Sequence, residues 1–198
     1  MRIIAGRAKG RRLKAPPGLN TRPLTNMIKE SLFNVLGAGI EGSSFLDLFA
    51  GSGSVGIEAL SRNARLVIFV DKGAEAVRTI KDNLNNCGFT EGNEVYRNDV
   101  FKAIEILQKR GLKFDFIYVD PPFSNEAIFE KVIIALDKAK ILSNQGITII
   151  RTRRKKDLPV ALSSINKYRV NNYGESTLHY YHSSEEAQID DGNIPNSG

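Results

Sequence analysis

The feature that most constrains the fold is a regular alternation of short apolar segments with amphipathic ones over residues 44–151. Near-continuous apolar runs are typical of buried parallel strands, and the segments between them have the length of crossover helices. The alternation predicts an α/β fold with a mostly parallel sheet, helices on both faces and ligand-binding loops at the strands' carboxyl ends. The predicted strands are Ser44 to Phe49, Leu66 to Asp71, Glu94 to Arg97, Phe114 to Asp120 and Gly146 to Arg151, and the predicted helices are Val55 to Arg62, Ala74 to Cys87, Val100 to Lys109 and Glu126 to Lys138.

The segments on either side of this alternation have signals of their own. Residues 25–37 predict a helix with Thr25 as N-cap and Gly37 as its C-terminal stop. Tyr168 to Tyr173 and Thr177 to His182 predict an antiparallel hairpin that closes the sheet. We therefore expect a basic arm over residues 1–24, one body over residues 25–182, and a polar, acidic, disordered tail over residues 183–198.

Positive charge is concentrated at the N-terminus. The net charge is +6, yet residues 1–30 alone carry eight bases and one acid. This arm predicts a polyanionic partner, and a short hairpin before Pro16-Pro17 gives the bases a scaffold. A solvated, disordered segment is the alternative interpretation of the arm. A second basic run, Arg151 to Lys156, follows an apolar strand, and we expect it to extend the same polyanion-binding surface. The candidate residues for binding this polyanionic partner are Arg2, Arg7, Lys9, Arg11, Arg12, Lys14 and Arg22.

Composition excludes several classes of protein. No stretch approaches the roughly 18 to 20 apolar residues of a membrane span, and the N-terminus lacks the apolar run of a secretory signal. The single cysteine, Cys87, allows no intramolecular disulfide, and we interpret it as a small core residue. His179 and His182 are interpreted as surface or edge residues, and no ligand cluster predicts a metal. We expect a cytoplasmic monomer.

A glycine-rich loop follows the first predicted strand. Gly51, Gly53 and Gly56 match the pattern G-x-G-x-x-G, and Asp71 ends the next strand about twenty residues later. Small residues let the backbone approach a ligand, and a carboxylate at the second strand accepts from ribose hydroxyls. This pattern fits a dinucleotide-binding enzyme as well as a nucleoside-binding one. A third interpretation is a tight turn with a purely structural role.

Further acids favour a nucleoside that carries a cationic amino acid. Asp47 is placed to meet an ammonium group but would repel a pyrophosphate, and Asp99 is placed to accept from an adenine amino group. Asp99 is equally a good N-cap for the helix from Val100. S-adenosylmethionine carries both groups, an ammonium for Asp47 and an adenine amino group for Asp99. The candidate cofactor-binding residues are Asp47, Phe49, Gly51, Ser52, Gly53, Asp71, Lys72, Asp99, Val100 and Asp120.

The fourth predicted strand ends in Asp120-Pro121-Pro122-Phe123, which we take as the candidate catalytic residues. The prolines remove two backbone donors and leave carbonyls free to accept, so that Asp120 and the Pro121 carbonyl can hold the two hydrogens of a planar NH2 group. Phe123 offers a surface on which a base can stack. The motif thus predicts methyl transfer to an exocyclic base nitrogen, unless it is an ordinary strand-ending turn.

These residues resemble the bacterial 16S rRNA (guanine(966)-N2)-methyltransferases over residues 1–182. The resemblance rests on these segments: Arg2 to Gly6 and Lys9 to Arg11, Thr21-Arg22-Pro23 with the helix to Leu36, Asp47 to Gly53 and Gly56 to Arg62, Asp120 to Phe123, and Tyr173 to Ser176. It implies a seven-stranded Rossmann-like class I methyltransferase that methylates a guanine 2-amino group in the small ribosomal subunit, on a late assembly particle. Leu24 to Met27 depart from the family pattern, which has an Asp-Arg pair there.

The sequence leaves other functions open. Adenine N6 and cytosine N4 of DNA are also conjugated amino groups, so the motif alone does not separate them from guanine N2. An RNA-binding assembly factor with a purely structural cofactor pocket and a nicotinamide oxidoreductase are the alternatives from other classes.

Overall fold

The computed structural model describes residues 1–17 and 25–184. Five helices and seven strands follow one another in these residues, with a single 3-10 turn over Gly37–Ile40. The helices are α1 Asn26–Leu36, α2 Ser54–Ser61, α3 Ala74–Cys87, α4 Val100–Lys109 and α5 Ala127–Ala139. The strands are β1 Ser44–Leu48, β2 Leu66–Asp71, β3 Asn93–Arg97, β4 Phe114–Val119, β5 Leu142–Arg153, β6 Ile165–Tyr173 and β7 Ser176–Ser183.

All seven strands form one sheet in the order β3-β2-β1-β4-β5-β7-β6. The first five are parallel, and β7 pairs antiparallel with both β5 and β6. The predicted mostly parallel sheet with a closing antiparallel hairpin is therefore confirmed. The chain reverses its direction of strand addition between β1 and β4, and ligands bind at such a switch point in open α/β sheets.

Helices cover both faces of the sheet, as predicted. One core joins α1, α2 and α3 to the sheet, and the other joins α4 and α5 to the opposite face. The start of α1 lies where the sequence places it, because the Thr25 hydroxyl accepts the Ile28 N–H at 3.3 Å.

The N-terminal residues form the predicted hairpin, which lies against the body of the protein. Arg2 and Arg12 pair across it, and the Ile3 N–H donates to the Arg11 carbonyl at 2.9 Å. Ile3, Ala8 and Leu13 are buried in the same core as α1 and α2. The hairpin is therefore built into the first core, while its basic side chains remain exposed.

One prediction about the C-terminal strands is wrong. The last strand, β7, lies between β5 and β6, and His179 on it is buried and pairs with the Thr152 hydroxyl at 3.0 Å. His179 is therefore an interior residue, not a surface or edge residue, and burial lowers its pKa to about 4. His182 is partly buried. Cys87 is also partly buried and packs against the first core. Ser183, the first residue of the predicted disordered tail, instead ends β7 and is buried, and the Ser184 N–H donates to the Ser164 carbonyl at 2.9 Å. Arg22 and residues 185–198 lie outside the described residues.

Candidate active site

The loops after β1, β2, β3 and β4 meet at one edge of the sheet and are tied together by backbone hydrogen bonds. The Ala50 N–H donates to the Val70 carbonyl, the Asn98 N–H to the Asp71 carbonyl, and the Asp120 N–H to the Leu48 carbonyl, at 3.1, 3.1 and 3.3 Å. The predicted cofactor and catalytic residues therefore lie on neighbouring loops at the carboxyl edge of the sheet, where β1 and β4 adjoin.

The glycine-rich loop adopts a conformation that most residues avoid. Gly51 and Gly53 have φ values of 57° and 73°, and Phe49 has φ 61° without being glycine. A non-glycine residue in this region costs about 1 to 3 kcal/mol, and such strain is found mainly at functional sites. Gly56 has a different role, since a Cβ there would lie 2.3 Å from the Phe69 ring. Its missing side chain lets α2 pack closely on β2.

Asp47 lies beneath this loop and is almost completely buried. Its Oδ2 accepts the Gly56 N–H at 2.9 Å, and only 2% of the residue is exposed. Burial raises the pKa of Asp47 well above its ordinary value, and the nearby charges of Asp120 and Asp71 raise it further. Three acids thus lie close together, and a cationic ligand would relieve their mutual repulsion.

Asp71 joins the first two loops. Its Oδ2 accepts the Gly51 N–H at 2.9 Å and its Oδ1 the Gly73 N–H at 2.8 Å. Each carboxylate oxygen can accept a second hydrogen bond, so these bonds fix the carboxylate without using up its acceptor capacity. Lys72, the next residue, is exposed.

Asp99 performs the capping role that the sequence left open. Its Oδ1 accepts the Phe101 and Lys102 N–H groups at 3.0 and 3.4 Å, which makes it the N-cap of α4. The side chain is exposed, and Val100 beside it is buried. The capping role does not conflict with the proposed contact to adenine.

Asp120 is held from two sides at the end of β4. Arg151 Nη1 lies 3.0 Å from its Oδ2 and 3.3 Å from its Oδ1, and the Tyr118 hydroxyl donates to Oδ2 at 3.3 Å. Burial raises the pKa of Asp120, although Arg151 and Tyr118 oppose the rise. Pro121 is buried, and the Pro122 carbonyl accepts the Asn125 N–H at 3.3 Å.

Arg151 lies in the site and not on the surface that its sequence pattern predicted. It was assigned to a basic surface run, but its side chain is 7% exposed and paired with Asp120. Its guanidinium carbon lies 5.1 Å from the centre of the Phe123 ring, and its Nε lies 3.2 Å from the Ser176 hydroxyl. The strand register provides the missing signal, since Val119 pairs with Ile150 and the next residues are Asp120 and Arg151.

The remaining predicted binding residues of the basic arm lie on the N-terminal hairpin, which runs along α2 to its far end, where the Arg7 N–H donates to the Ser61 carbonyl at 2.8 Å. The Ser52 hydroxyl lies 3.6 Å from the Met1 sulfur, so the hairpin touches the glycine-rich loop. The side chains of Arg2, Arg7, Lys9, Arg11, Arg12 and Lys14 are exposed. The guanidinium carbon of Arg7 lies 5.3 Å from the centre of the Phe89 ring. Arg7 and Arg65 also line a cavity of about 310 Å³.

Residues 1–17 and 25–184 contain neither a membrane-spanning helix nor a cluster of metal ligands. No helix in this part of the chain is long and apolar enough to cross a membrane. In the same residues, no group of three or more His, Cys, Asp or Glu side chains is arranged to hold a metal ion.

Comparison with solved structures defines the class of protein. The structure named "Putative methyltransferase yhhF from Escherichia coli" superimposes with a TM-score of 0.79 at 25% identity, covering 92% of this chain and 97% of that one. A hypothetical protein of Thermus thermophilus gives a TM-score of 0.78 at 28% identity over 92% of this chain and 99% of that one. The fold is that of a Rossmann-like class I S-adenosylmethionine-dependent methyltransferase.

Sequence comparison then shows the family. The profile described as Conserved hypothetical protein 95 matches residues 1–182, and the chain belongs to this family. A Bacillus subtilis protein named "Putative rRNA methyltransferase YlbH" is 39% identical over 91% of this chain and 98% of its own length. "Ribosomal RNA small subunit methyltransferase D" of Escherichia coli K12 is 28% identical over 96% of this chain and 93% of its own. The resemblance stated from the sequence is confirmed.

Proposed function

We propose that this protein transfers a methyl group from S-adenosylmethionine to the exocyclic N2 of a specific guanine in 16S rRNA of the small ribosomal subunit. The observation that carries the proposal is Asp120, a carboxylate at the end of β4 with 21% of its side chain exposed, next to the glycine-rich loop. The rRNA substrate is supported by the names of the relatives, and the choice of guanine N2 by the family resemblance.

The residues fit the cofactor through their charge and their backbone. Asp47, Asp71 and Asp120 form an acidic cluster that suits a ligand with a cationic amino-acid end and repels a pyrophosphate. We assign the ammonium group to Asp47, the ribose hydroxyls to Asp71 and the adenine amino group to Asp99. Phe49, Gly51, Ser52 and Gly53 would border the ligand with backbone, while Lys72 and Val100 would flank it. When bound, S-adenosylmethionine supplies the methyl carbon, whose bond to sulfur breaks as the bond to nitrogen forms, leaving S-adenosylhomocysteine.

The protein's own contribution is to hold the amino nitrogen in place. The lone pair of an aryl amine is delocalised into its ring, so the nitrogen attacks only when it is turned out of that conjugation. Asp120 and the Pro121 carbonyl would accept its two hydrogens, and Phe123 would stack on the base, which contributes roughly 1 to 3 kcal/mol. Positioning of this kind supplies most of the acceleration. After transfer, Asp120 accepts the proton that the nitrogen loses.

The hairpin would bring the RNA to this edge. Its six exposed bases extend from the glycine-rich loop, which Met1 contacts, along α2 as far as Ser61, and phosphates bound along this path would leave a loop guanine free to present its Watson–Crick edge. Arg22 completes the proposed RNA-binding set. We further propose that the protein acts as a monomer in the cytoplasm, where small subunits assemble.

Thermal stabilisation tests the cofactor. S-adenosylhomocysteine should raise the melting temperature, since a ligand at 100 times its Kd adds about 2.7 kcal/mol of stability. NAD at the same concentration should have no effect. Stabilisation by NAD alone would make the protein an oxidoreductase and refute the proposal.

Labelled methyl transfer tests the substrate polymer. Small subunits, naked 16S rRNA and DNA are offered in parallel with labelled S-adenosylmethionine. We expect label in small subunits, less in naked rRNA and none in DNA. Label in DNA alone would refute the rRNA assignment, and equal rates on subunits and naked rRNA would refute the preference for the assembled particle.

A further inference from the structure

Arg151 makes two contacts that converge on the candidate catalytic motif. Its guanidinium binds both oxygens of Asp120 and lies over the Phe123 ring. A third contact, from Nε to the Ser176 hydroxyl, ties it to the start of β7. A planar guanidinium can bind a carboxylate in its plane and stack through its face at the same time, which a lysine ammonium cannot do.

The contacts around Asp120 leave room for a substrate. A carboxylate offers about four acceptor positions, two on each oxygen. Arg151 and Tyr118 fill both positions on Oδ2, while Arg151 takes one position on Oδ1. Among the residues that the structure describes, nothing takes the second position on Oδ1. That position is the one from which a base amino hydrogen can be held.

We propose that Arg151 is a positioning residue that keeps Asp120 ionised and fixes it relative to Phe123, so that Oδ1 presents one lone pair to the amino group of the base. This inference rests on the proposed function, because it gives Asp120 and Phe123 the tasks assigned there. Arg151 itself does not touch the reacting atoms.

The surroundings explain why Asp120 needs such a partner. The charged and titratable groups that face it are Arg151 from β5, Tyr118 from β4 and Asp47 from β1. Burial favours protonation of Asp120, and Arg151 is the single cation among these described neighbours. A protonated Asp120 would donate from one oxygen and could not hold the amine as an acceptor.

The test compares R151Q and R151K with wild type in the rate of methyl transfer from labelled S-adenosylmethionine as a function of pH. Activity falls when Asp120 takes up a proton, so a higher pKa of Asp120 moves the acid limb to higher pH. We expect R151Q to move it up by about 1 unit or more, since an opposite charge shifts a carboxyl by roughly 1 to 3 units. R151K keeps a positive charge beside Asp120, so the acid limb should return to its wild-type pH. Its kcat should remain about 10-fold to 100-fold below wild type, because Asp120 and Phe123 are less well fixed.

R153Q is the matched control. Arg153 lies on the same strand two residues later and is exposed, so its loss should leave the acid limb in place. Circular dichroism and thermal melting verify that each variant is folded. An R151Q profile that coincides with wild type would overturn the inference, and so would a faster R151Q enzyme, because Arg151 would then only obstruct the base.

A second readout does not depend on activity. The carboxyl carbon of Asp120, labelled with ¹³C and assigned from D120N, reports its titration by NMR. The resonance should titrate at higher pH in R151Q than in wild type or R151K. If the resonance titrates at higher pH in R151Q while wild type methylates no rRNA, the proposed function fails but the effect of the ion pair on Asp120 stands. If methylation is seen and the titration does not move, the inference about Arg151 fails alone.

Discussion

Two ion pairs join different parts of this protein, and they differ in how many hydrogen-bond acceptor positions of the carboxylate remain unused. Lys29–Glu58 joins α1 to α2 beneath the hairpin, with side chains 1% and 0% exposed. Arg151–Asp120 joins β5 to the end of β4, with side chains 7% and 21% exposed. One pair is sealed in the first core, and the other opens onto the carboxyl edge of the sheet.

The difference lies in the acceptor positions of the two carboxylates. Glu58 Oε2 binds Lys29 and the Ile4 N–H, and its Oε1 binds Arg62 and the Ala5 N–H, so its four positions are filled. Asp120 keeps one position on Oδ1 among its described contacts. A saturated carboxylate can only hold structure, whereas an unsaturated one can also bind a substrate. The comparison therefore assigns stability to the first pair and chemistry to the second.

The largest effect is expected for D120N. The amide cannot accept the proton released from the amino nitrogen and offers one acceptor oxygen, so methyl transfer should fall about a thousandfold. The affinity for rRNA should change little, because Asp120 lies apart from the hairpin. The melting temperature should fall, because Arg151 is 7% exposed and loses its anion, so rates are compared where thermal melting shows that D120N is folded. Rates with labelled S-adenosylmethionine and an RNA-binding assay measure both. D82N, which changes an exposed aspartate on α3, is the control, and full activity in D120N would break the comparison.

The next effect is on stability. E58Q leaves Lys29 charged and buried without its anion and should cost about 3 to 5 kcal/mol in the free energy of unfolding, measured with urea. E75Q is the matched control, since the Glu75–Arg78 pair is 50% and 69% exposed and should change stability by at most about 1 kcal/mol. The kcat of folded E58Q at saturating rRNA should stay near wild type. A stable E58Q protein that has lost kcat would reverse the roles of the two pairs.

A smaller effect is expected from the hairpin that Glu58 anchors. Removing three exposed charges in K9Q/R11Q/R12Q should weaken rRNA binding, and the slope of log Kd against log salt should fall by about 2 units if each base meets one phosphate. K102Q/K109Q/K131Q removes three exposed lysines from α4 and α5, on the opposite face of the sheet. That variant should keep the wild-type slope. Equal salt slopes for the two triple variants would contradict the prediction that RNA binds to the hairpin.

The smallest effect concerns protons. Burial and the acidic neighbours of Asp47 raise its pKa well above its ordinary value in the free protein, so a proton competes with a bound cation for this carboxylate. A bound ammonium favours the anion. Binding of S-adenosylhomocysteine should therefore release protons and weaken as pH falls through the free-protein pKa. Titration calorimetry in two buffers of different ionisation enthalpy measures the release, and D47N should abolish it. Proton uptake on binding would contradict the assignment of Asp47.

Local signals in the sequence were enough to locate most elements. The Thr25 cap and the span Ala74–Cys87 lie as predicted, because capping and helical periodicity depend on neighbouring residues. Asp71 and Asp120 fall at one edge of the sheet because parallel strands place their carboxyl ends together. This placement needed the strand pattern alone.

Contacts between distant parts of the chain were beyond such signals. Arg151 pairs with a residue 31 positions away, and the backbone at Ile4 binds Glu58, 54 positions away. In the sequence Arg151 looks like the first member of a basic run, and only the β4–β5 register places it beside Asp120. His179 was misassigned for the same reason, because the insertion of β7 between β5 and β6 buries a strand that ends the predicted body.

Identification of the methylated nucleoside tests the central claim most directly. Small subunits are incubated with labelled S-adenosylmethionine and either wild type or D120N, and their 16S rRNA is digested to nucleosides for mass spectrometry. We expect N2-methylguanosine at a single site with wild type and about a thousandfold less with D120N. Label in N6-methyladenosine or N4-methylcytidine would contradict the guanine assignment, and label undiminished in D120N would contradict the role of Asp120.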